Sequence, residues 1–248
     1  MFKIAIFGPI ASGKSCLANA LIDGAAKVDC RFSSELALVN RMVFGANDSF
    51  TIYPTNEAAE HGLGVMSIEK KAQSDFFQNI RTGILGYTEK DIAYVKTECP
   101  CKLLNLGVEI IDLPYSAIND YRQLFDILTN SDLIICCLNF NHGVSTNNHF
   151  SFLEHFEAPV LFVVTHFDYY RLVKELGNNH WNEIREVFSS GLRTFYAKYN
   201  DSQLFLLDPY LYIQGLQTNN LELIDRSRFL YLKAEIYRLV ARTYNDRL

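Results

Sequence analysis

Apolar residues fall along this chain in two alternating rhythms. Short unbroken runs at 3–7 (KIAIF), 108–111 (VEII), 132–138 (DLIICCL), 160–164 (VLFVV) and 204–207 (LFLL) have the length and β-branched character of strands buried on both faces. Between them, residues 14–22, 116–130, 145–157, 178–199 and 221–244 carry apolar positions three and four apart, the spacing of helices with one buried stripe. Gly24 follows the first of these as a stop signal. The alternation predicts an α/β fold of three layers, a mostly parallel sheet with helices on both faces joined by right-handed crossovers. Ligands are then expected at the carboxyl ends of the strands. Residues 25–102 are less regular: a helix is expected at 31–44, a polar loop at 46–60, and a strand at 91–98 pairing antiparallel with 108–111. No repeat, low-complexity tract or linker interrupts the chain, so a single domain is expected over 1–248.

Composition narrows the function classes. The 248 residues allow a substantial core, and 49% hydrophobic content excludes a disordered chain. A net charge of −5, from 23 basic and 28 acidic residues, gives no general attraction to nucleic acid or to an anionic membrane, and no nucleic-acid partner is expected. No apolar run approaches the ~20 residues of a membrane span, which leaves peripheral membrane association open. The first strand follows Met1 almost at once, leaving no room for a signal peptide, so the expected location is cytoplasmic. The six cysteines then read as reduced thiols, with Cys136 and Cys137 as small hydrophobes in a strand. Cys99-Pro-Cys101 lacks the second pair that a metal site needs, and His61, His142, His149, His155 and His180 form no metal-spaced cluster. Phe76-Phe77, Tyr169-Tyr170 and Trp181 are candidate interface aromatics.

Chemistry concentrates in GPIASGKS, Gly8 to Ser15, which satisfies G-x-x-x-x-G-K-[ST] between a hydrophobic strand and an amphipathic helix. Such a loop wraps backbone N–H groups around a β-phosphate at a helix N-terminus. Gly8, Ala11, Ser12, Gly13, Lys14, Ser15 and Cys16 are the expected nucleotide-binding residues. Lys14 is expected to reach the β- and γ-phosphate oxygens, and Ser15 to offer its hydroxyl to Mg²⁺. The metal also needs a carboxylate at a strand end, and Asp112 of VEIIDLP supplies one; a helix-capping Asp112 is the plain alternative. Thr165-His166-Phe167-Asp168 resembles the [NT]-K-x-D signature of GTPases with His for Lys. There the carboxylate accepts from guanine N1–H and the exocyclic amine, a donor pair adenine lacks. Asp168 would thus select GTP, with Thr165 holding the loop and His166 stacking on the base; a surface-turn role for Asp168 is the alternative.

The order of these parts resembles a P-loop GTPase and, in detail, the G domain of dynamin-like proteins, particularly bacterial ones. The resemblance is carried by IFGPIASGKSCLANALI, FTIYPTNEA, VEIIDLP, NSDLIICCLNFNHGVSTNNHFSFLEHF and APVLFVVTHFD. The closing LFLLDPYLYIQGL and ELIDRSRFLYLKAEIYRLV extend it over nearly the whole chain. It implies that Thr55 of Pro54-Thr55 is the first-switch threonine, binding Mg²⁺ and positioning the attacking water, with Thr51 the competing choice. It also places the backbone near Asp208-Pro209 against the base. No helical stalk of the kind such proteins carry is expected within these 248 residues, and the resemblance then implies a switch that pairs through its G domain as a homodimer or serves a separate protein partner.

Departures from the pattern qualify the expected activity. Tyr115 stands where the second switch normally carries glycine, and Ile10 where eukaryotic dynamins place a polar, water-positioning residue. No glutamine follows Asp112, and no arginine is placed as a finger in cis. Three functions therefore stand together: a Mg²⁺-dependent GTPase acting as a switch or assembly module, with slow or partner-stimulated hydrolysis; a nucleotide-binding interaction module with little or no hydrolysis; and a nucleoside or metabolite kinase. The third rests on the phosphate loop and on Asp225-Arg226-Ser227, which resembles a kinase motif displaced from its mid-chain position.

Overall fold

The computed structural model describes residues 1–25, 38–68, 88–114, 121–141, 144, 151–168 and 180–246. Tyr115, Cys30, Phe76-Phe77, Tyr169-Tyr170, His142, His149 and the first residues of four expected helices lie outside these.

The five apolar runs form strands where expected: β1 (Phe2–Phe7), β6 (Val108–Asp112), β7 (Leu133–Asn139), β8 (Val160–Thr165) and β9 (Leu204–Leu206). They are parallel neighbours in the order β6-β1-β7-β8-β9. Side chains of β1 alternate between two cores. Phe2, Ile4 and Ile6 join Leu17 and Leu21 of α1 (Lys14–Leu21), Tyr212 of α6 (Pro209–Thr218), and Leu232 and Ile236 of α8 (Phe229–Asp246). Ala5 and Phe7 join Leu124 and Leu128 of α4 (Tyr121–Thr129) and Phe188 and Leu192 of α5 (His180–Phe195) on the opposite face. Helices thus cover both faces, the three-layer arrangement that the hydrophobic alternation predicts.

The sheet continues past β6 through β2 (Asn40–Phe44), β5 (Ile92–Cys99), β3 (Ser49–Pro54) and β4 (Met66–Ile68), nine strands in all among the described residues. Here the sequence expectations need correction. The C-terminal part of the helix expected at 31–44 is strand β2, because Asn40 and Met42 face inward while their neighbours are half-exposed, a period of two. The expected polar loop at 46–60 holds β3, with Phe50 and Ile52 inward, and the short helix α2 (Asn56–Glu60). Strand β5 forms as expected, but β2 lies between it and β6, antiparallel to β6 and parallel to β5. Arg41 of β2 fixes that placement by pairing with Glu109 of β6 and lying over the Tyr94 ring at 5.1 Å. The expected helix at 145–157 shows a 3₁₀ turn, Ser151–His155, in its described part. Its residues Leu153 and Phe156 are buried against α4 and β8, where a tight turn rather than a helix packs.

Among the described residues, the remaining α-helices are the four-residue α3 (Lys102–Asn105) and α7 (Leu221–Ser227). The helix expected at 221–244 is divided. Arg228 adopts φ 56°, and the Ser227 hydroxyl accepts from Phe229 N–H at 3.1 Å, so α8 starts anew with its own cap. Helix α6, which sequence periodicity did not mark, is started by Asp208 and Pro209 at its N-cap and first position.

Candidate nucleotide-binding site

The glycine loop joins the carboxyl end of β1 to the amino end of α1. Its backbone takes positive φ at Gly8 (153°), Ala11 (58°) and Gly13 (77°). A Cβ on Gly8 would lie 2.4 Å from the Cys137 carbonyl oxygen of β7, and one on Gly13 would lie 2.8 Å from Thr165 Oγ1 of β8. Two neighbouring strand ends also hold the loop by hydrogen bonds. Thr165 Oγ1 donates to the Ser12 carbonyl at 2.8 Å, and Asn139 Nδ2 donates to the Ala11 carbonyl at 2.8 Å. Thr165 was legible as the first letter of a motif. Asn139 was not singled out, although a polar residue closing the buried run LIICCL was a signal for it.

Lys14 and Ser15 open α1 and are both buried. Lys14 Nζ donates to the carbonyls of Gly8 at 2.9 Å and Pro9 at 2.8 Å, spanning the loop from below. Burial lowers its pKa, and the nearby Asp112 carboxylate opposes that shift. Ser12 is wholly buried and its hydroxyl has no hydrogen-bond partner. Ile10, by contrast, projects outward with 60% of its surface exposed, and Cys16 is half-buried one residue after Ser15.

Asp112 ends β6 beside β1 and is 2% exposed. Its Oδ2 accepts from Ser15 Oγ at 2.7 Å, while Oδ1 is buried without a hydrogen-bond partner. Desolvation pushes the carboxyl up to about 6, with the Ser15 bond and the Lys14 charge pulling the other way. A hydroxyl and a buried carboxylate oxygen with unused acceptor capacity make a hard, oxygen-only donor pair. That pair fits Mg²⁺, which takes one or two protein oxygens and fills its octahedron with water and phosphate. The structure therefore brings together Gly8, Gly13, Lys14, Ser15 and Asp112.

Thr55 lies apart from them. The ladders place Asp112 level with Asn40, Asn40 with Val95, and Val95 with Ile52. Thr55 follows β3 three residues beyond Ile52 and three strands across, ~14 Å away laterally at the usual strand spacing. It is the N-cap of α2: its hydroxyl accepts from Ala58 N–H at 3.2 Å and its carbonyl from Ala59 N–H at 2.9 Å. Thr51 sits within β3, opposite Ser67 and Lys96.

The other end of the site is built from the ends of β8 and β9. His166 is exposed with φ 60°, a single left-handed residue that turns the chain so that Phe167 is buried and Asp168 reaches the surface. Asp168 Oδ2 accepts from Arg226 Nη2 of α7 at 2.6 Å. Asp208, two residues after β9, accepts from Tyr210 N–H at 2.9 Å and Leu211 N–H at 3.2 Å. Its carboxylate is thus a helix cap, and its own N–H donates to the Ser227 carbonyl at 2.9 Å. Neither the Arg226 pairing nor the Ser227 contact had a local sequence signal, because both join segments far apart in the chain.

No protein-family model and no curated protein sequence matches the chain. Among solved structures, it is similar to two of an oligomerised bacterial dynamin pair described in the long-range sensing and tethering of membranes. One superposes with a TM-score of 0.62 at 15% identity over 99% of this chain, the other with 0.61 at 14% identity over all of it. In each case this chain spans 40% of the length of the dynamin chain. The glycine loop, the Ser15–Asp112 pair at its foot and the mostly parallel sheet with helices on both faces have the fold of a P-loop GTPase, that of a dynamin-like G domain.

Proposed function

We propose that the chain binds GTP with Mg²⁺ and acts as a dynamin-like GTPase, a nucleotide-controlled switch or assembly module of the cytoplasm. The observation that carries this is Asp112, a fully buried carboxylate bonded to Ser15 with its second oxygen unsatisfied, directly below the glycine loop. Burying such an oxygen without a partner costs a few kcal/mol, and a divalent cation offsets that cost.

In this reading the loop N–H groups from Ala11 to Cys16 bind the phosphates, and Lys14 exchanges the Gly8 and Pro9 carbonyls for phosphate oxygens. Ser15 and Asp112 hold the cation, which when bound neutralises the charge on the β- and γ-phosphoryl oxygens. Asp168 reads the guanine edge, His166 covers the base, and the backbone after Asp208 closes the pocket. Thr55 keeps the first-switch role on one condition. Its hydroxyl and carbonyl are both engaged in capping α2, so that helix start must open for Thr55 to reach the metal.

A second reading, a binding module with little hydrolysis, is favoured by Ile10. It projects from the phosphate loop with 60% of its surface exposed, and an isoleucine has no group with which to orient water. The kinase reading keeps the phosphate loop but loses the second of its two supports, because Arg226 of Asp225-Arg226-Ser227 pairs with Asp168. Turnover then depends on a second G domain or a separate protein to complete the site, and any membrane contact is peripheral.

Titration with GTP, GDP and ATP in Mg²⁺, followed by phosphate release at low and high protein concentration, tests these readings. Micromolar GTP binding with turnover per molecule that rises with concentration is expected. Tight binding with no turnover at any concentration establishes the binding module, and absence of GTP and GDP binding overturns both.

A further inference from the structure

Asp225-Arg226-Ser227 closes α7, and two of its residues grip the two loops that flank the base site. Arg226 Nη2 donates to Asp168 Oδ2 at 2.6 Å. One residue on, the Ser227 carbonyl accepts from Asp208 N–H at 2.9 Å, and Ser227 is wholly buried. A single step of helix thus ties the loop after β8 to the loop after β9.

The surroundings make Arg226 a fixed post. Arg228 leaves α7 in the left-handed conformation and lays its guanidinium over the Trp181 ring at 4.4 Å, while Trp181 meets the buried Phe167 ring edge-on at 5.4 Å. The residue before Asp168 and the residue two beyond Arg226 are thereby packed on the same indole. Asp168 itself is an aspartate on a loop beyond the strand, about a quarter exposed, whose side-chain torsion no ladder fixes.

We infer that Arg226 is a specificity-determining residue of the base site, holding the Asp168 carboxylate in the orientation that reads guanine. This rests on the GTP reading above. A carboxylate offers about four acceptor positions, so Oδ2 can accept from Arg226 on one side and from a base donor on the other. Guanine presents two donors, N1–H and the exocyclic amine, and both bonds form only when the carboxylate plane is held in line with the base. Hypoxanthine keeps N1–H and lacks the amine, so the ratio of GTP to ITP affinity reports that alignment. Adenine offers no such pair, and ATP binding reports the phosphate loop alone.

The test is the affinity of GTP, ITP and ATP for the wild-type chain, Arg226→Ala and Arg226→Lys, with thermal melting of each. In Arg226→Ala, GTP affinity is expected to fall about tenfold, the GTP-to-ITP ratio to shrink towards one, and ATP affinity to stay unchanged. Arg226→Lys restores part of the ratio, because an ammonium holds the carboxylate without fixing its plane. An equal loss for all three nucleotides, or an unchanged ratio, marks Arg226 as merely structural and overturns the inference. Tighter GTP binding by Arg226→Ala overturns it too, since Arg226 is then a competitor of the base. A wild-type chain that binds no GTP overturns the GTP reading and this inference together; wild-type binding with an unmoved ratio overturns this inference alone.

Discussion

The sheet changes character between β6 and β2. On one side, five parallel strands bury both faces, and their carboxyl ends deliver the glycine loop, Asp112, Asn139, Thr165 and Asp208 to a single edge. On the other, β2 joins β6 antiparallel and β5 parallel, β3 joins β5 and β4 antiparallel, and Leu38, Phe50, Ile52, Ile92 and Val95 form a small separate core. Parallel strands send every carboxyl end to one edge, so side chains from four or five segments converge there. Antiparallel strands divide their ends between two edges, and the one candidate this region contributes, Thr55, stands three strands from Asp112. On the proposed reading, phosphate, metal and base fall to the parallel region, and the antiparallel region is left to adjust the site.

The largest effect expected from breaking this division is at Lys14. Lys14→Ala should lower GTP and GDP affinity on the order of 100-fold, with thermal stability nearly unchanged, in a direct titration. A loss below tenfold would mean the phosphates bind elsewhere.

Asp112→Asn should move stability and binding in opposite directions. The folded-state pKa of about 6 lies above the ~3.9 of an unfolded aspartate. The folded form therefore holds the proton more tightly, and stability contributed by this group is greatest below pH 4 and falls as pH rises through 6. At pH 7 the buried charge costs up to roughly 3 kcal/mol, and a neutral amide removes most of that. Melting curves without nucleotide should show the variant more stable than wild type at pH 7.5, with the gap closing as pH falls below about 4, while its nucleotide binding no longer responds to Mg²⁺. A variant less stable at pH 7.5 would show that Asp112 is held by contacts stronger than the Ser15 bond.

Smallest is the effect at Thr55. Removing the cap in Thr55→Ala should cost about 1 kcal/mol and leave GTP affinity within twofold. Turnover should drop at least tenfold if α2 opens to let Thr55 act, and Thr55→Ser should restore both quantities. Unchanged turnover would confine Thr55 to its cap and leave catalysis wholly to the parallel region.

The same boundary separates what was legible in the sequence from what was not. Strands buried on both faces write themselves as unbroken apolar runs, so KIAIF, VEII and VLFVV announced both their structure and their direction. NRMVF and SFTIYP bury every second residue beneath polar and aromatic neighbours, and over five or six residues that alternation resembles a loop or one face of a helix. Within the site, Lys14 and Ser15 follow from spacing because the loop–helix geometry is local, and Thr165 follows only from its place at the head of the run Thr165-His166-Phe167-Asp168. Asn139 and Arg226 act across 128 and 58 residues of chain, where no spacing rule applies. The break at Arg228 was hidden for another reason: arginine seldom adopts a left-handed conformation, and the apolar periodicity of α7 runs on into α8 almost in phase.

The contacts of the two glycines bear on how this chain can drift over generations. At Gly8 the obstacle to any side chain is the carbonyl of Cys137, a backbone atom that no substitution at position 137 removes. At Gly13 the obstacle is the Thr165 side chain, which smaller residues would trim, but the backbone there keeps φ at 77° whatever its neighbours become. If the loop binds nucleotide as proposed, a side chain at either glycine is expected to end that binding by forcing the loop itself to move.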